Sequence, residues 1–367
     1  MKLRPSLSAA LLLLPLLITL LSCGADTRPE PPRSLRVDID RCKAGVVDSA
    51  RLVSLEASAQ SLLFGIDHLL PTGSSYVVAS RNKLRAFDRR TGAYICDIAR
   101  YGSGEADFSD ISDVWSRGDT IFVFDSNAKT LGVYLADGTF IEKRRPFART
   151  QFRKNQPIRK YFTMADGDVL SINGSTGGST ARNPLVSAYN RDYSYRAPID
   201  GRDVKESAYL MDGACLDTAR CRLLIWEPLR DTIFAADDSG VRPLYVLDAG
   251  HHAFPPQLQA LGNLQERMSA FFTKDPGRQY VSLIRYLQPD GDNLYFCLAG
   301  NDRRNYIVRY DTGTDSCTVR SFTSPDGRYT QTTFFLLDAD SLRLEMRDNA
   351  DIEANPAVYS FHKSEMQ

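Results

Sequence analysis

From residue 76 onward the chain repeats a unit of short strands and tight turns. One copy reads Tyr76-Val77-Val78-Ala79-Ser80, then Leu84-Arg85-Ala86-Phe87-Asp88, a turn at Thr91-Gly92, and Ala93-Tyr94-Ile95-Cys96. The next reads Ile121-Phe122-Val123-Phe124-Asp125, then Leu131-Gly132-Val133-Tyr134, a turn at Asp137-Gly138, and Thr139-Phe140-Ile141. Tyr76 maps on Ile121 at an offset of 45, and Phe87 on Tyr134 at 47. Fainter copies begin at Asp168, Leu223 and Leu294, and a sixth opens at Thr333. A period in the forties with about four short strands per unit is that of a β-propeller. A lone blade cannot bury both of its faces, whereas blades packed around an axis bury them and leave only short edges.

The expected fold is therefore all-β, a six-bladed β-propeller over residues 35–367 at about 56 residues per blade, although seven blades also fit the length. The first strand candidates, Leu35–Asp38 and Arg51–Leu55, are expected to complete or adjoin the last blade and close the circle. One segment breaks the pattern. Behind Pro255-Pro256, Leu258, Leu261, Leu264, Met268, Phe271 and Phe272 fall three and four apart, which predicts one inserted amphipathic helix ending near Pro276-Gly277 and lying across one face of the ring.

The N-terminus sets an address. Lys2 and Arg4 precede the apolar run Leu11–Leu21, so residues 1–22 read as a signal peptide, too short for a comfortable membrane span. The run ends in Leu20-Leu21-Ser22-Cys23-Gly24, which resembles the lipobox of bacterial lipoproteins. That resemblance implies an acylated Cys23 at the mature N-terminus and a lipid-anchored envelope protein, most naturally on the outer membrane, facing the periplasm or the surface. Residues 23–34 carry three prolines and no apolar periodicity, the composition of an extended tether.

Composition narrows the function classes. With 45 basic and 45 acidic residues, 43% hydrophobic and 25% charged, the 367-residue chain is neither a basic nucleic-acid binder nor an acidic disordered segment nor a multispanning membrane protein. Removing Lys2 and Arg4 leaves 43 basic against 45 acidic residues, so no global field steers a partner.

Catalytic spacings are scarce. Gly102-Ser103-Gly104 is followed by Asp107 where a dinucleotide loop needs glycine, and it reads as a turn between blades. Gly174–Gly178 lacks nucleophile-elbow spacing. The four histidines, His68, His251, His252 and His362, show no metal-ligand spacing, so no metal and no cofactor are expected. His251-His252 reads as a loop pair pointing opposite ways, or as one general base. Six cysteines follow Cys23, and an exported compartment permits a Cys215–Cys221 disulfide around a hairpin loop. Cys297 and Cys317 are expected two strands apart, about 10 Å, and unbridged.

The acid-free segment from Lys143 to Lys160 holds Arg144, Arg145, Arg149, Arg153, Lys154, Arg159 and Lys160. It reads either as a solvated outer strand and loop or as a patch for an anionic partner, with Phe147 and Phe152 interleaved. Asp-Ser/Thr pairs at Asp48, Asp119, Asp217, Asp231 and Asp340 fit turn chemistry, and they also resemble the O-glycosylation acceptors of Bacteroidota envelope proteins.

The chain as a whole resembles the six-bladed β-propeller lipoproteins of Bacteroidota. The residues that carry the likeness are Val53–Glu56, Tyr101–Glu105 with Phe108 and Ile111-Ser112-Asp113, Asp125-Ser126 with Tyr134 and Asp137-Gly138, and a second patch at Leu229–Phe234, Pro243–Val246 and Asp248-Ala249-Gly250. The glycine turn is shorter than in those proteins. The resemblance implies a fold and an envelope address, and no reaction. The reading that follows is a lipid-anchored, non-catalytic binding or assembly module for an envelope protein, peptide or glycan, with no nucleic-acid partner. The alternative is an envelope hydrolase or lyase with an axial active site acting on glycans or lactones, assembled from several blades. A purely structural envelope component is the third class.

Overall fold

The computed structural model describes residues 31–147, 158–173, 184–203, 213–237, 239–261, 264–273, 277–324, 326–337, 341–348 and 353–366. The signal peptide and Cys23 lie outside these residues.

Three short strands open the chain, β1 (Arg33–Arg36), β2 (Lys43–Val46) and β3 (Leu52–Ser54). Blade one follows as β4 (His68–Pro71), β5 (Ser75–Ser80), β6 (Lys83–Asp88) and β7 (Tyr94–Tyr101), with β8 (Asp107–Phe108) added at its edge. Blade two is β9 (Asp113–Arg117), β10 (Thr120–Asp125), β11 (Thr130–Leu135) and β12 (Phe140–Arg144). Blade three is β13 (Ile158–Thr163), β14 (Val169–Asn173), β15 (Pro184–Tyr189) and β16 (Tyr195–Asp203). Blade four is β17 (Ala214–Asp217), β18 (Arg222–Trp226), β19 (Thr232–Asp237) and β20 (Gly240–Asp248). Blade five is β21 (Val281–Asp290), β22 (Asn293–Gly300), β23 (Asn305–Asp311) and β24 (Ser316–Thr323); β25 (Tyr329–Leu337), β26 (Ser341–Asp348) and β27 (Ala357–His362) begin blade six. The last two blades share a single rung, Thr323 opposite Thr330.

These sheets form a six-bladed propeller. The first strand of each blade is its inner one, and β25 meets β4, β4 meets β9, β17 meets β21 and β21 meets β25. Packing follows the period of two along a strand. In β18, Leu223 and Ile225 pack toward Leu170, Ile172 and Val186 of blade three. The intervening Leu224 and Trp226 pack toward Leu294, Phe296 and Val308 of blade five. Tyr295 and Cys297 of β22 turn the other way, onto Leu342, Leu344 and Met346 of blade six. Similar apolar seams join blades one and two through Val77, Leu84, Val114 and Ile121, and blades two and three through Phe124, Tyr161 and Tyr189. Val358 against Val78 and Phe87 closes the seam between blades six and one. Middle strands buried on both faces read in sequence as continuous apolar runs, which is why the repeat is visible.

The N-terminal segment is a strap. β3 pairs antiparallel with β27, Val53 opposite Val358, and so supplies the fourth strand of blade six. This confirms closure through Arg51–Leu55. The Leu35 strand differs from expectation: β1 runs parallel to β20 at the outer edge of blade four, and β2 runs parallel to β24 of blade five. A segment running along successive outer edges can add a strand to each blade it passes. Gly92 makes room for the closure. It has φ +75, and a Cβ there would meet the Ser54 carbonyl, while its own carbonyl accepts the Glu56 N–H at 2.9 Å. Buried Asn355 completes the joint, donating to the carbonyls of Glu56 (2.6 Å) and Ser61 (2.9 Å) and accepting from Leu63 N–H (2.6 Å).

The inserted helix is two helices, α1 (Pro256–Gln259) and α2 (Leu264–Thr273). The sequence between them contains Gly262-Asn263, residues that end helices. The apolar stripe is core, as expected. Leu258, Phe271 and Ala270 pack with Phe254, Tyr280, Ala299 and Leu229. Leu229 is fully buried there at φ 60, third in a turn in which Arg230 N–H donates to the Glu227 carbonyl. Pro228 is the second residue of this turn, and the third would suit glycine, so the packing holds a strained residue in place. No helix among the described residues is long and apolar enough to cross a membrane.

Candidate functional site

Because each blade is an antiparallel meander entered from the outer strand of the one before, the inner strands all run the same way along the axis. Polar residues near the starts of successive inner strands therefore gather at one end. Four do so among the described side chains: His68 opens β4, Asp113 opens β9, Lys160 is the third residue of β13, and Cys215 the second of β17.

Lys160 is the centre of this group. Its Nζ lies 3.7 Å from Asp113 Oδ1, with only 10% and 15% of the two side chains exposed. Asp113 is thus paired across the boundary between blades two and three. The His68 ring has no hydrogen-bond partner among the described residues, and burial, reinforced by the charge of Lys160, pushes its pKa down to about 3. Burial pushes the Cys215 thiol up, with Asp217 adding to the rise and Lys160 opposing it. Among the described residues, the starts of these strands therefore hold at neutral pH an uncharged imidazole and one ion pair, with the Cys215 thiol protonated against the adjoining seam. A thiol held protonated is a poor nucleophile, and an imidazole that protonates only near pH 3 is a weak base. These groups can donate and accept hydrogen bonds to a polar ligand without reacting with it.

The basic segment is divided by this arrangement. Lys160 turns inward to the axis. Arg144, on the outer strand β12, donates through Nε to Glu142 at 2.8 Å. Arg145 is exposed and Arg159 partly exposed, while Arg149, Arg153 and Lys154 lie outside the described residues. The described members therefore do not share one surface: Arg159 is the extra residue at a register shift in β13 and is partly exposed, while Lys160 beside it is buried. Phe147 is core, enclosed by Phe124, Tyr161, Tyr189 and Tyr193.

The Cys215–Cys221 bridge is not formed, and both thiols are free. Cys215 stands opposite Leu224 and packs against the seam between blades four and five, whereas Cys221 ends an exposed turn beyond the Asp217–Arg222 rung. Cys297 and Cys317 sit on β22 and β24 with β23 between them, as expected. The glycine turn at 102–104 wraps Asp107: Gly104 N–H donates to Asp107 Oδ2 at 2.8 Å, so the amide that a phosphate would need is already taken. The aspartates of the described Asp-Ser/Thr pairs are engaged within the fold: Asp119 accepts from Gly73 N–H at 3.1 Å, and Asp217 from Arg222 Nε at 3.0 Å. Asp48 accepts from Ala50 N–H at 2.9 Å, and Asp231 from the Thr232 hydroxyl at 3.0 Å.

His251 and His252 do not point apart. They lie in a 3-10 turn (Gly250–His252), where successive side chains diverge by about a third of a turn rather than half. Their ring centroids are 4.0 Å apart, beside Asp40 of the strap. Between strap and blade five, a cleft of about 580 Å³ is lined by Arg36, Asp38, Arg41, Lys43 and the start of β24.

The comparisons match this architecture. A family model described as a domain of unknown function, DUF4934, matches residues 42–340. The chain belongs to the DUF4934 family. No curated protein matches the sequence. Among solved structures, a Bacteroides fragilis protein described as exported superposes with a TM-score of 0.57 at 15% identity, covering 91% of this chain and all (100%) of that one. A DUF4221 member from Bacteroides vulgatus superposes at 0.51 and 12% identity, covering 87% and 97%. At such identities the likeness shows the fold, and it agrees with the resemblance to Bacteroidota propellers read from the sequence.

Proposed function

We propose that this DUF4934 protein is a non-catalytic binding module of the cell envelope, held to the outer membrane by a lipid on Cys23, with its axial mouth receiving a protein, peptide or glycan. The observation that carries the reading is the unreactive state of the axial groups: neutral His68, protonated Cys215 and the Lys160–Asp113 pair. The described donors and acceptors, a neutral ring, a thiol and a closed ion pair, suit a polar, uncharged group such as a sugar hydroxyl or a peptide amide. The description of the Bacteroides fragilis relative as exported supports the address, and the lipobox-like Leu20–Gly24 supports the anchor.

The test is recovery of partners from native envelope with tagged wild-type protein and with Lys160→Met. A stoichiometric partner present with the first and lost with the second supports the reading. Turnover of a glycan or lactone by the purified protein, abolished in His68→Ala, overturns it in favour of the hydrolase or lyase alternative. Radiolabelled palmitate entering the wild type and not Cys23→Ala supports the anchor, and failure to label the wild type removes it.

A further inference from the structure

A second cluster lies away from the axis, where the strap crosses the connection between blades four and five. Asp40 sits in a 3-10 turn (Ile39–Arg41) between β1 and β2, and His251 and His252 precede α1. His252 Nε2 is 3.0 Å from Asp40 Oδ1, and His251 Nε2 is 3.4 Å from Asp40 Oδ2. One ligand atom from each of the three residues lies within 4.8 Å of the others.

The proton inventory of His252 is informative. Its Nδ1 lies 3.2 Å from the backbone carbonyl of Gln279, which can only accept, so Nδ1 carries the hydrogen. Nε2 then turns its lone pair on a carboxylate oxygen at hydrogen-bond distance. Two acceptors so close need something positive between them, either a second proton or a metal ion. A bridging proton would make an imidazolium of His252, its ring 4.0 Å from that of His251, whose neutral Nε2–H form can itself donate to Asp40 Oδ2. One divalent ion satisfies all three ligands at once. The carbonyl behind Nδ1 is the usual outer partner of a metal-bound imidazole, fixing the tautomer and the ring. Ligands about 2.0–2.2 Å from a tetrahedral ion stand roughly 3.4 Å apart, and the separations here, each to a different oxygen of Asp40, are 3.0 and 3.4 Å.

We propose that Asp40, His251 and His252 bind a divalent transition metal of the zinc class, and that the ion fastens the strap to the ring. Two imidazoles and one carboxylate favour zinc over magnesium or calcium, which prefer oxygen. The side chains of His251 and Asp40 are 71% and 62% exposed, so an entry path is open and water completes the coordination. His252, 10% exposed, is the fixed member. Arg278 donates to the His251 carbonyl at 3.2 Å, and Arg41 pairs with Asp38 at 3.2 Å. The sequence conceals this site because its third ligand lies about two hundred positions from the histidine pair.

Titration of the metal-free full chain with zinc chloride at pH 7.5, followed by calorimetry and by thermal melting, tests the proposal. The wild type is expected to take up one zinc with micromolar or tighter affinity and to melt at a higher temperature when loaded. Asp40→Asn and His252→Ala are expected to lose at least tenfold in affinity and the melting shift with it, whereas His362→Ala, at an exposed histidine outside the cluster, keeps both. Asp40 is exposed, so its variant folds and the comparison stands even if His252→Ala does not fold. No zinc uptake by the wild type, or uptake undiminished in Asp40→Asn, overturns the proposal; the first result leaves a proton as the bridging charge, and the second places the zinc elsewhere, for instance on the exposed thiol of Cys221.

Discussion

Between blades the ring is held by apolar side chains that alternate along single strands, as Leu223 and Leu224 do in facing opposite neighbours. Around its rim it is held by hydrogen bonds between residues far apart in the chain, as from Asn355 to Glu56 across 299 positions and from Arg51 to Glu365 across 314. The seams thus draw on burial, which grows with area and tolerates substitution of one hydrocarbon for another. The strap seats Leu35, Val37 and Ile39 in the seam between blades four and five, and adds polar groups that are each specific to one partner.

If this contrast is right, the largest effects come from the seams. Trp226 is buried between blades four and five and donates its indole N–H to the Ile284 carbonyl at 2.8 Å. Trp226→Ala is expected to destabilise by about 3–5 kcal/mol in denaturant melts, and a loss below about 1 kcal/mol would show that the seam can collapse around the gap. Asn355→Ala should be intermediate, about 2–3 kcal/mol, because it strands Leu63 N–H and two carbonyls in the closure joint. Hydrogen exchange should quicken together in Leu52–Ser54 and Ala357–Tyr359, since these strands pair only with closure intact. The smallest effect is expected at the strap surface. Arg33 and Asp315 approach to 2.5 Å but are 40% and 62% exposed, so Arg33→Ala should change stability by less than about 1 kcal/mol and still less in high salt. A large loss there would mean that β1 is held by that ion pair rather than by its backbone ladder with β20.

The same contrast explains what was legible beforehand. Blade strands such as Ile121–Asp125 announced themselves because burial on both faces leaves an unbroken apolar run bounded by turns. Arg51–Leu55 was placed correctly by the need to close a ring. Leu35–Asp38 was not, because a parallel edge pairing depends on the path of the strap and leaves no local pattern. Lys160 was hidden within a basic run, since only the third dimension separates a residue aimed at the axis from Arg159 beside it. His68, a lone histidine at a strand start, gave no signal at all; its role follows from where four inner strands converge. Cys215 and Cys221 looked bridgeable from spacing, but antiparallel register placed one in a seam and the other on a turn.

The unreactive axis is tested most directly by following the imidazole signals of the four histidines by NMR as pH is lowered, with His68→Gln to assign one of them. His68 binds its proton less readily in the folded chain than in the unfolded one, where its value is 6.5. Stability that is complete above pH 6.5 should therefore decline as the pH falls toward 3, and the decline should be shallower in His68→Gln. The predicted spectrum has a His68 signal still neutral at pH 5, and that signal is absent in the variant. A His68 signal that titrates near 6.5 would contradict it, leaving a solvated axial base ready for catalysis.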